Sequence, residues 1–533
     1  MGAEVKDSVD QSNPAAIDAR AGYVYENRRY VGRKETVGYI AWDMAQSFNI
    51  NSYSERFITS ILKIGFSQQQ VAEVIGGIWD IINDVMFATI VDKTRTRWGK
   101  FRPYLLFLAG PATIFVALYW LQPYFFPNTG TDDTVKFIFY LLLAIARETA
   151  ETFRGISRGG LLATITPHPV DRTRLITVAN FWSGFLGEKL PEQIMTVLID
   201  LVGNNVIKLK SKPGSMPYLG LYSGMGVFTA IVSGFASLLF VMNTRERVMQ
   251  SIERPSIMQG IRSIVNNKPV LLLTAADVLN SLKIGGGKSD YFIDVLNFAS
   301  MVFFAGIPGG IVHPISYMIV PWFRRKYSSR FLYILNLSAS TLSMVPVFLV
   351  GSIGGMHNGL YKKKLPMGLA LAAQETFFML FYGLGKVVPN EMYNESMDYC
   401  EWKNGYRTEA MTAVAKGLAA KLGNIMTKVL SIQLKKWFDY DQTLYSKGQK
   451  QSDKTQYFLF MQFTIIPVLT GMFQIIPIAF YDLSGKKREK MYAELLERRA
   501  CMANTVTCGD VEAIANLAHE QMQTAEKNKD RKL

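Results

Sequence analysis

Long apolar runs recur along this chain at near-regular intervals, each bounded by a short polar or basic stretch, and that pattern leaves few folds open. The runs read as spans over 37–61, 68–92, 103–122, 134–165, 175–202, 217–242, 269–293, 297–322, 330–352, 366–396, 408–433 and 455–481. Most are long enough to cross a hydrocarbon layer of ~30 Å at about 1.5 Å per residue. Backbone groups in lipid must be satisfied within the segment, so each run is expected to be a helix. Several are interrupted by Gly, Pro or charge, which is tolerable where a helix lines a cavity and costly where it faces lipid.

Composition agrees. Of 533 residues, 49% are hydrophobic and only 19% charged, less charge than a soluble enzyme of this length carries. The net charge of +15 is compatible with a nucleic-acid partner, but the basic residues lie in short clusters between apolar runs, so no nucleic acid is expected. The three cysteines, two of them in a polar tail, imply no disulfide framework. The four histidines, His168 and His313 among them, lack metal-ligand spacing.

Charge sets the expected orientation. Lys93, Arg95, Arg97, Lys100 and Arg102 follow the second run; Arg172 and Arg174 follow the fourth. Arg245, Arg247, Arg254, Arg262 and Lys268 follow the sixth, and Arg324, Arg325, Lys326 and Arg330 the eighth. These loops and both termini are therefore expected in the cytoplasm, although Lys208–Lys212, Lys362–Lys364 and Lys435–Lys454 run against the rule. Residues 1–20 lack the basic start and apolar core of a secretory signal, so insertion is expected to rely on the first span.

The basic stretch 243–268 divides the chain into halves of six helices, 37–242 and 269–481, with a cytoplasmic segment 1–36 before them and a cytoplasmic tail 482–533 after. Phe153-Arg154-Gly155-Ile156-Ser157-Arg158 in the fourth run is echoed by Phe381-Tyr382-Gly383-Leu384-Gly385-Lys386 in the tenth. The expected fold class is an all-α membrane protein of about twelve transmembrane helices in two pseudo-symmetric halves, with a midplane cavity between them. In the tail, Lys486 to Lys490 reads as a juxtamembrane cluster for anionic headgroups, followed by soluble helix.

The chemistry concentrates in the second run. Asp80 and Asp84 are four apart, on one helical face, with Asn83 adjacent. Two carboxylates inside lipid persist only where a cation, a proton or a basic side chain compensates them. An all-oxygen set suits a small hard cation, so Asp80 and Asp84 are the candidate ligands for a metal ion such as Na+. The bland reading is a pair locked in salt bridges to neighbouring helices.

Trp79-Asp80-Ile81-Ile82-Asn83-Asp84, followed by Asp92-Lys93-Thr94-Arg95-Thr96-Arg97-Trp98-Gly99-Lys100-Phe101-Arg102-Pro103, resembles the signature of the glycoside–pentoside–hexuronide:cation symporters, a family of the major facilitator superfamily. Asp398-Tyr399-Cys400-Glu401-Trp402-Lys403, with Arg407 and Glu409, resembles that family's sequence between helices ten and eleven. The resemblance covers about 37–480 in layout and is specific in these blocks. It implies a cation site at Asp80, Asn83 and Asp84, a sugar-hydroxyl contact at Asp43, and a lysine at Lys421 linking the cation and sugar sites. Trp42, adjoining Asp43, is a candidate for stacking on a sugar ring.

There are departures. Counting back from Arg174, the fourth-helix aspartate of the family falls on Ser157, flanked by Arg154 and Arg158, with Glu148 and Glu151 one and two turns earlier. A fixed arginine there stands against sodium coupling, and Arg154 is assigned a coupling role. Arg158 and Lys386 are equivalent by the internal echo; if both face inward with Lys421, they favour an anionic substrate such as a uronide. The alternative is that these bases neutralise the acids already named. Asp92, Arg95, Arg97 and Arg102 read as a gating latch that bonds helix ends and acids, with Arg324, Arg325 and Lys326 as its second-half counterpart.

The reading is a secondary active transporter, not an enzyme: symport of a sugar or glycoside with Na+ or H+ by alternating access. No cofactor is expected beyond that coupling ion. The expected partners are a small sugar-like solute, a monovalent cation and the lipid bilayer, and the expected form is a multi-pass monomer in the plasma or inner membrane. Alternatives are a lipid or other solute carrier on the same fold, a sugar-sensing receptor without transport, and a membrane enzyme binding a metal-diphosphate substrate. The enzyme needs a second aspartate-rich helix, and none is obvious.

Overall fold

The computed structural model describes residues 32–93, 96, 101–127, 130–165, 175, 178–179, 182–207, 218–244, 267–285, 288–404, 409–445, 448–483, 485 and 487–495. Its principal helices are α1 (Arg33–Ser47), α2 (Phe66–Lys93), α3 (Arg102–Phe125), α4 (Thr134–Ile165), α5 (Lys189–Gly203), α6 (Leu219–Asn243), α7 (Lys268–Ser281), α8 (Met301–Lys326), α9 (Ser329–Leu342), α10 (Lys364–Asn404), α11 (Glu409–Trp437) and α12 (Asp453–Phe463). Shorter pieces complete several spans: Phe57–Ile61 after α1, Ser183–Glu188 before α5, Met344–Ser352 after α9, and Ile465–Gly471 and Ile475–Ala479 after α12. Every expected span thus carries helix.

Local sequence explains the starts. Pro103 and Pro269 stand in the first turns of α3 and α7, where no backbone donor is lost. The side chains of Asn267, Ser328 and Ser452 cap α7, α9 and α12 by accepting from Val270, Phe331 and Thr455. α8 ends on Arg324, Arg325 and Lys326, whose charges suit a helix C-terminus.

Among the described residues, α3, α6, α8, the run Ser329–Ser352 and α10 are long and apolar enough to cross a membrane. Asp453–Phe463 with Ile465–Ala479 makes a further span bent by 41°. Large apolar side chains point outward, with Ile311 70% and Met318 77% exposed. That burial pattern is what lipid as solvent demands. Other helices carry more charge: Glu73, Asp80 and Asp84 on α2, and Arg147, Glu148, Glu151 and Arg154 on α4.

The chain divides into two compact units. The first holds 1–62, 78–202 and 207–252; the second holds 63–77, 203–206 and 253–533. In the first unit, α3 and α6 meet at glycines: a Cβ on Gly226 collides with the Trp120 ring, and one on Gly234 with Thr113. Small residues allow such close approach where lipid offers no hydrophobic drive between helices. In the second unit α8 packs on α10, where the Gly383 amide donates to Ser316 Oγ at 3.1 Å.

The beginning of the tail differs from a solvated helix. Met491 and Leu495 are buried with Leu483, Met392 and Val388. Arg488 pairs with Glu395 at 2.7 Å, Lys487 with Asp482 at 2.9 Å and Lys490 with Glu494 at 3.8 Å, so three bases of the expected headgroup cluster are engaged by protein carboxylates. Most of the expected middle loop, and the tail from 496 onward, lie outside the described residues.

Candidate functional site

In the first unit, α2 docks on α4 through matched spacings. Trp79 Nε1 donates to Thr149 Oγ1 at 3.0 Å, and Asn83 Nδ2 donates to Thr152 Oγ1 at 2.9 Å. Residues 79 and 83 share one face of α2, and 149 and 152 share one face of α4. Asn83 is fully buried, and its Oδ1 has no hydrogen-bond partner among the described residues. A buried acceptor left so costs about 1–3 kcal/mol, which makes it a natural ligand atom. Asp80 and Asp84, which precede and follow Asn83 on the same helix, are both half-buried. On α4 the residue that bonds Asn83 is Thr152; the Ser157 hydroxyl is buried and makes no hydrogen bond to a described residue.

Asp43 on α1 is 1% exposed and accepts a hydrogen bond from Ser183 Oγ at 2.5 Å. Gly187 brings this part of the fifth span against α1, where a Cβ stands 2.5 Å from the Met44 carbonyl oxygen. Trp42, 2% exposed, does not present its ring to a solute. It stacks on Phe240 of α6 (centroids 4.5 Å apart, planes at 16°), and its Nε1 donates to Ser237 Oγ at 3.2 Å. Neighbours in a helix point about 100° apart, so its adjacency to Asp43 gives it a different face.

A polar cavity of about 190 Å³ opens within this unit, lined by Gln46 and Asn49, Thr113 and Trp120 of α3, Arg147, Glu148, Glu151 and Arg154 of α4, and Thr229 and Ser233 of α6. Arg154 Nη1 lies 3.2 Å from Glu151 Oε2, and its Nη2 donates to Gln46 Oε1. Gln46 Nε2 in turn donates to Ser237 Oγ at 2.6 Å. The Arg147 guanidinium sits 4.2 Å over the Tyr119 ring. Arg154 is thus directed toward α1 by Gln46. The wall offers carboxylates that accept from hydroxyls and guanidinium and amide groups that donate to them.

In the second unit, Lys421 is half-buried on α11. Lys386 lies on an exposed face of α10, with Nζ 5.3 Å over the Tyr382 ring. Arg95 and Arg97, and the side chains of Asp92 and Arg158, lie outside the described residues. Arg102 Nη2 donates to the Val241 carbonyl in the last turn of α6 at 2.9 Å. That is the helix-end bond expected of a latch, but it joins two helices of one unit.

The seventh span carries polar chemistry not singled out from sequence. The half-buried Asp277 accepts from Tyr393 OH at 2.6 Å, and Asp290 pairs with Lys435 at 2.7 Å, the latter pair nearly inaccessible. The acids of this span and Gly285-Gly286-Gly287 within it were the legible signal.

The model of the family described as MFS/sugar transport protein matches residues 36–485. The chain belongs to this major facilitator family. It is therefore a transporter rather than an enzyme, which sets aside the diphosphate-binding reading. The glucuronide carrier protein homolog of Escherichia coli K12 is 21% identical over 474 residues, covering 87% of this chain and 95% of that one. The inner membrane symporter YicJ of the same organism is 24% identical over 486 residues, covering 88% and 96%. The isoprimeverose transporter of Lactiplantibacillus pentosus is 22% identical over 458 residues, covering 85% and 88%. A solved bacterial homolog of the human lysosomal transporter Spinster, inward-facing and unoccupied, aligns with a TM-score of 0.53 at 10% identity, over 84% of this chain and 94% of that one. That likeness concerns the fold of the transporter alone.

Proposed function

We propose that this transporter carries a sugar or glycoside in symport with Na+ or H+, the cation binding at Asp80, Asn83 and Asp84. The observation that carries the reading is the docking of Asn83 on Thr152, which engages the amide nitrogen and leaves the buried Oδ1 without a hydrogen-bond partner among the described residues, on a helix that carries Asp80 and Asp84 three residues before and one residue after it. Two carboxylates and an amide oxygen suit a desolvated cation or a shared proton. The polar cavity edged by Glu148, Glu151, Arg147 and Arg154 supplies donors and acceptors for solute hydroxyls. The names of the relatives, a glucuronide carrier homolog, an isoprimeverose transporter and a symporter, support a small glycosidic solute. Asp43 and Lys421 remain candidate contacts for it. Cation and solute each raise the other's affinity by the same factor, and alternating access moves both. The protein acts as a monomer in the cell membrane with both termini cytoplasmic.

The test is uptake of labelled methyl β-D-glucuronide and lactose into proteoliposomes under imposed Na+ or H+ gradients. One gradient accelerates uptake, and Asp84→Asn and Asn83→Ala abolish that acceleration while solute exchange without a gradient continues. Unchanged acceleration in Asp84→Asn overturns the assignment of the cation site.

A further inference from the structure

We infer that Lys283, just past the end of α7 in the seventh span, holds an anionic group of the transported solute. This rests on the solute-transport reading above and deepens it.

α7 ends at Ser281, about 20 Å along the span and short of the ~30 Å needed to cross. Helix resumes at Lys288 and continues through Tyr291–Val295. The interruption is supported from both sides. Thr427 Oγ1 of α11 donates to the Ser281 carbonyl at 2.5 Å, and the Ile284 amide donates to Thr470 Oγ1 at 3.1 Å. Side chains of neighbouring helices thus take up backbone groups that the broken helix gives up. Both pieces are fixed to α11. Gly423 lets the first approach so closely that a Cβ there stands 2.6 Å from Ser281 Cβ, and the buried Asp290–Lys435 pair holds the second.

Lys283 sits in this break. Its stem lies on Gly471, where a Cβ stands 3.2 Å from the Lys283 Cδ, so the glycine makes room for the lysine. Lys428 and Lys435 in the same unit pair with Glu73 and Asp290. Lys283 is half-buried and makes no side-chain hydrogen bond or ion pair with any described residue. A half-buried ammonium needs an anion or water. Discontinuous helices in transporters place such groups where solute is held. A carboxylate on the solute satisfies the ammonium and is released with it, whereas a permanent protein carboxylate would neutralise the point.

The experiment compares uptake of 4-nitrophenyl β-D-glucuronide and 4-nitrophenyl β-D-glucoside by the full-length protein in proteoliposomes, for wild type, Lys283→Gln and Lys283→Arg. The inference expects Lys283→Gln to raise KM for the glucuronide at least tenfold, to leave the glucoside within twofold, and Lys283→Arg to restore the glucuronide. Equal loss for both solutes in Lys283→Gln assigns the residue to structure and overturns the inference. Unchanged glucuronide uptake in Lys283→Gln also overturns it. Wild-type uptake of the glucoside without the glucuronide overturns the inference and leaves sugar transport standing. Uptake of neither solute, by protein whose unfolding transition is intact, counts against the sugar reading and the inference together.

Discussion

Asn83 on α2 gives its side-chain amide to the Thr152 hydroxyl on α4 across 2.9 Å, with both side chains buried. The bond fixes which way the Asn83 amide faces, and so where its unpartnered Oδ1 points. Thr152→Val keeps the shape and removes the acceptor, leaving a buried donor unpaired at a cost of about 1–3 kcal/mol. If about 1 kcal/mol of that loss falls on cation binding, the cation concentration for half-maximal coupled uptake rises roughly five- to tenfold. Thr152→Ser retains the hydroxyl and stays near wild type. Titrating uptake against cation concentration checks this, and an unshifted Thr152→Val removes the positioning role.

The Asp290–Lys435 pair is nearly inaccessible, with its side chains 8% and 3% exposed and 2.7 Å apart. Removing one partner from such a pair leaves a buried charge and typically costs about 3–5 kcal/mol, while replacing both is far milder. Lys435→Met is expected to lower the thermal unfolding transition in detergent strongly. Asp290→Asn combined with Lys435→Met recovers most of the loss. Equal losses in the single and double variants would show that the pair is not what holds the second half of the seventh span to α11.

The spans were legible because lipid imposes the helix and its length; 134–165 coincides with α4. The cation-site residues were legible because acids in apolar surroundings stand out. The register of α4 was not. Which α4 residues meet α2 is set by Trp79 and Asn83 reaching Thr149 and Thr152, a match of spacings visible only once the helices are side by side. Trp42 adjoins Asp43 in sequence but packs on Phe240, because neighbours in a helix point about 100° apart. The span 269–293 does not show in sequence where its helix stops, since an apolar average hides the end at Ser281, whose neighbourhood Thr427 and Thr470 support from distant parts of the chain.

Two glycines of α6 should respond oppositely to alanine. A Cβ on Gly226 meets the buried Trp120 indole, whereas Gly224 has nothing within 4 Å of that position. Gly226→Ala forces the indole or the helix to move, at about 1–3 kcal/mol for overpacking. Gly224→Ala gains about 0.5–1 kcal/mol of helix propensity. Melting temperatures of the two variants in one detergent check the prediction, which fails if both shift in the same direction.

Asp482, just past the last span, ties the tail helix to the second unit. Burial pushes its carboxyl up, but the hydrogen bond from Lys487 and the charges of Lys487 and Lys268 outweigh this and hold it below the ordinary aspartate value. Lys487 Nζ donates at 2.9 Å, and Lys268 Nζ lies 3.6 Å away. A carboxyl depressed in the folded state adds stability that is fully present above the unfolded value, about 3.9, and is lost as pH falls through the lower folded value. Protection of amides 487–495 in hydrogen exchange, corrected for intrinsic rates, should therefore be flat from about pH 7 to 5 and fall below about pH 4. Partial exposure of the three groups makes the step shallow and sensitive to salt. Asp482→Asn should lower the plateau and remove this contribution to the step. A step of unchanged size in Asp482→Asn would assign the acid sensitivity elsewhere, with Glu395, the partner of Arg488 and Arg324, the next group to replace.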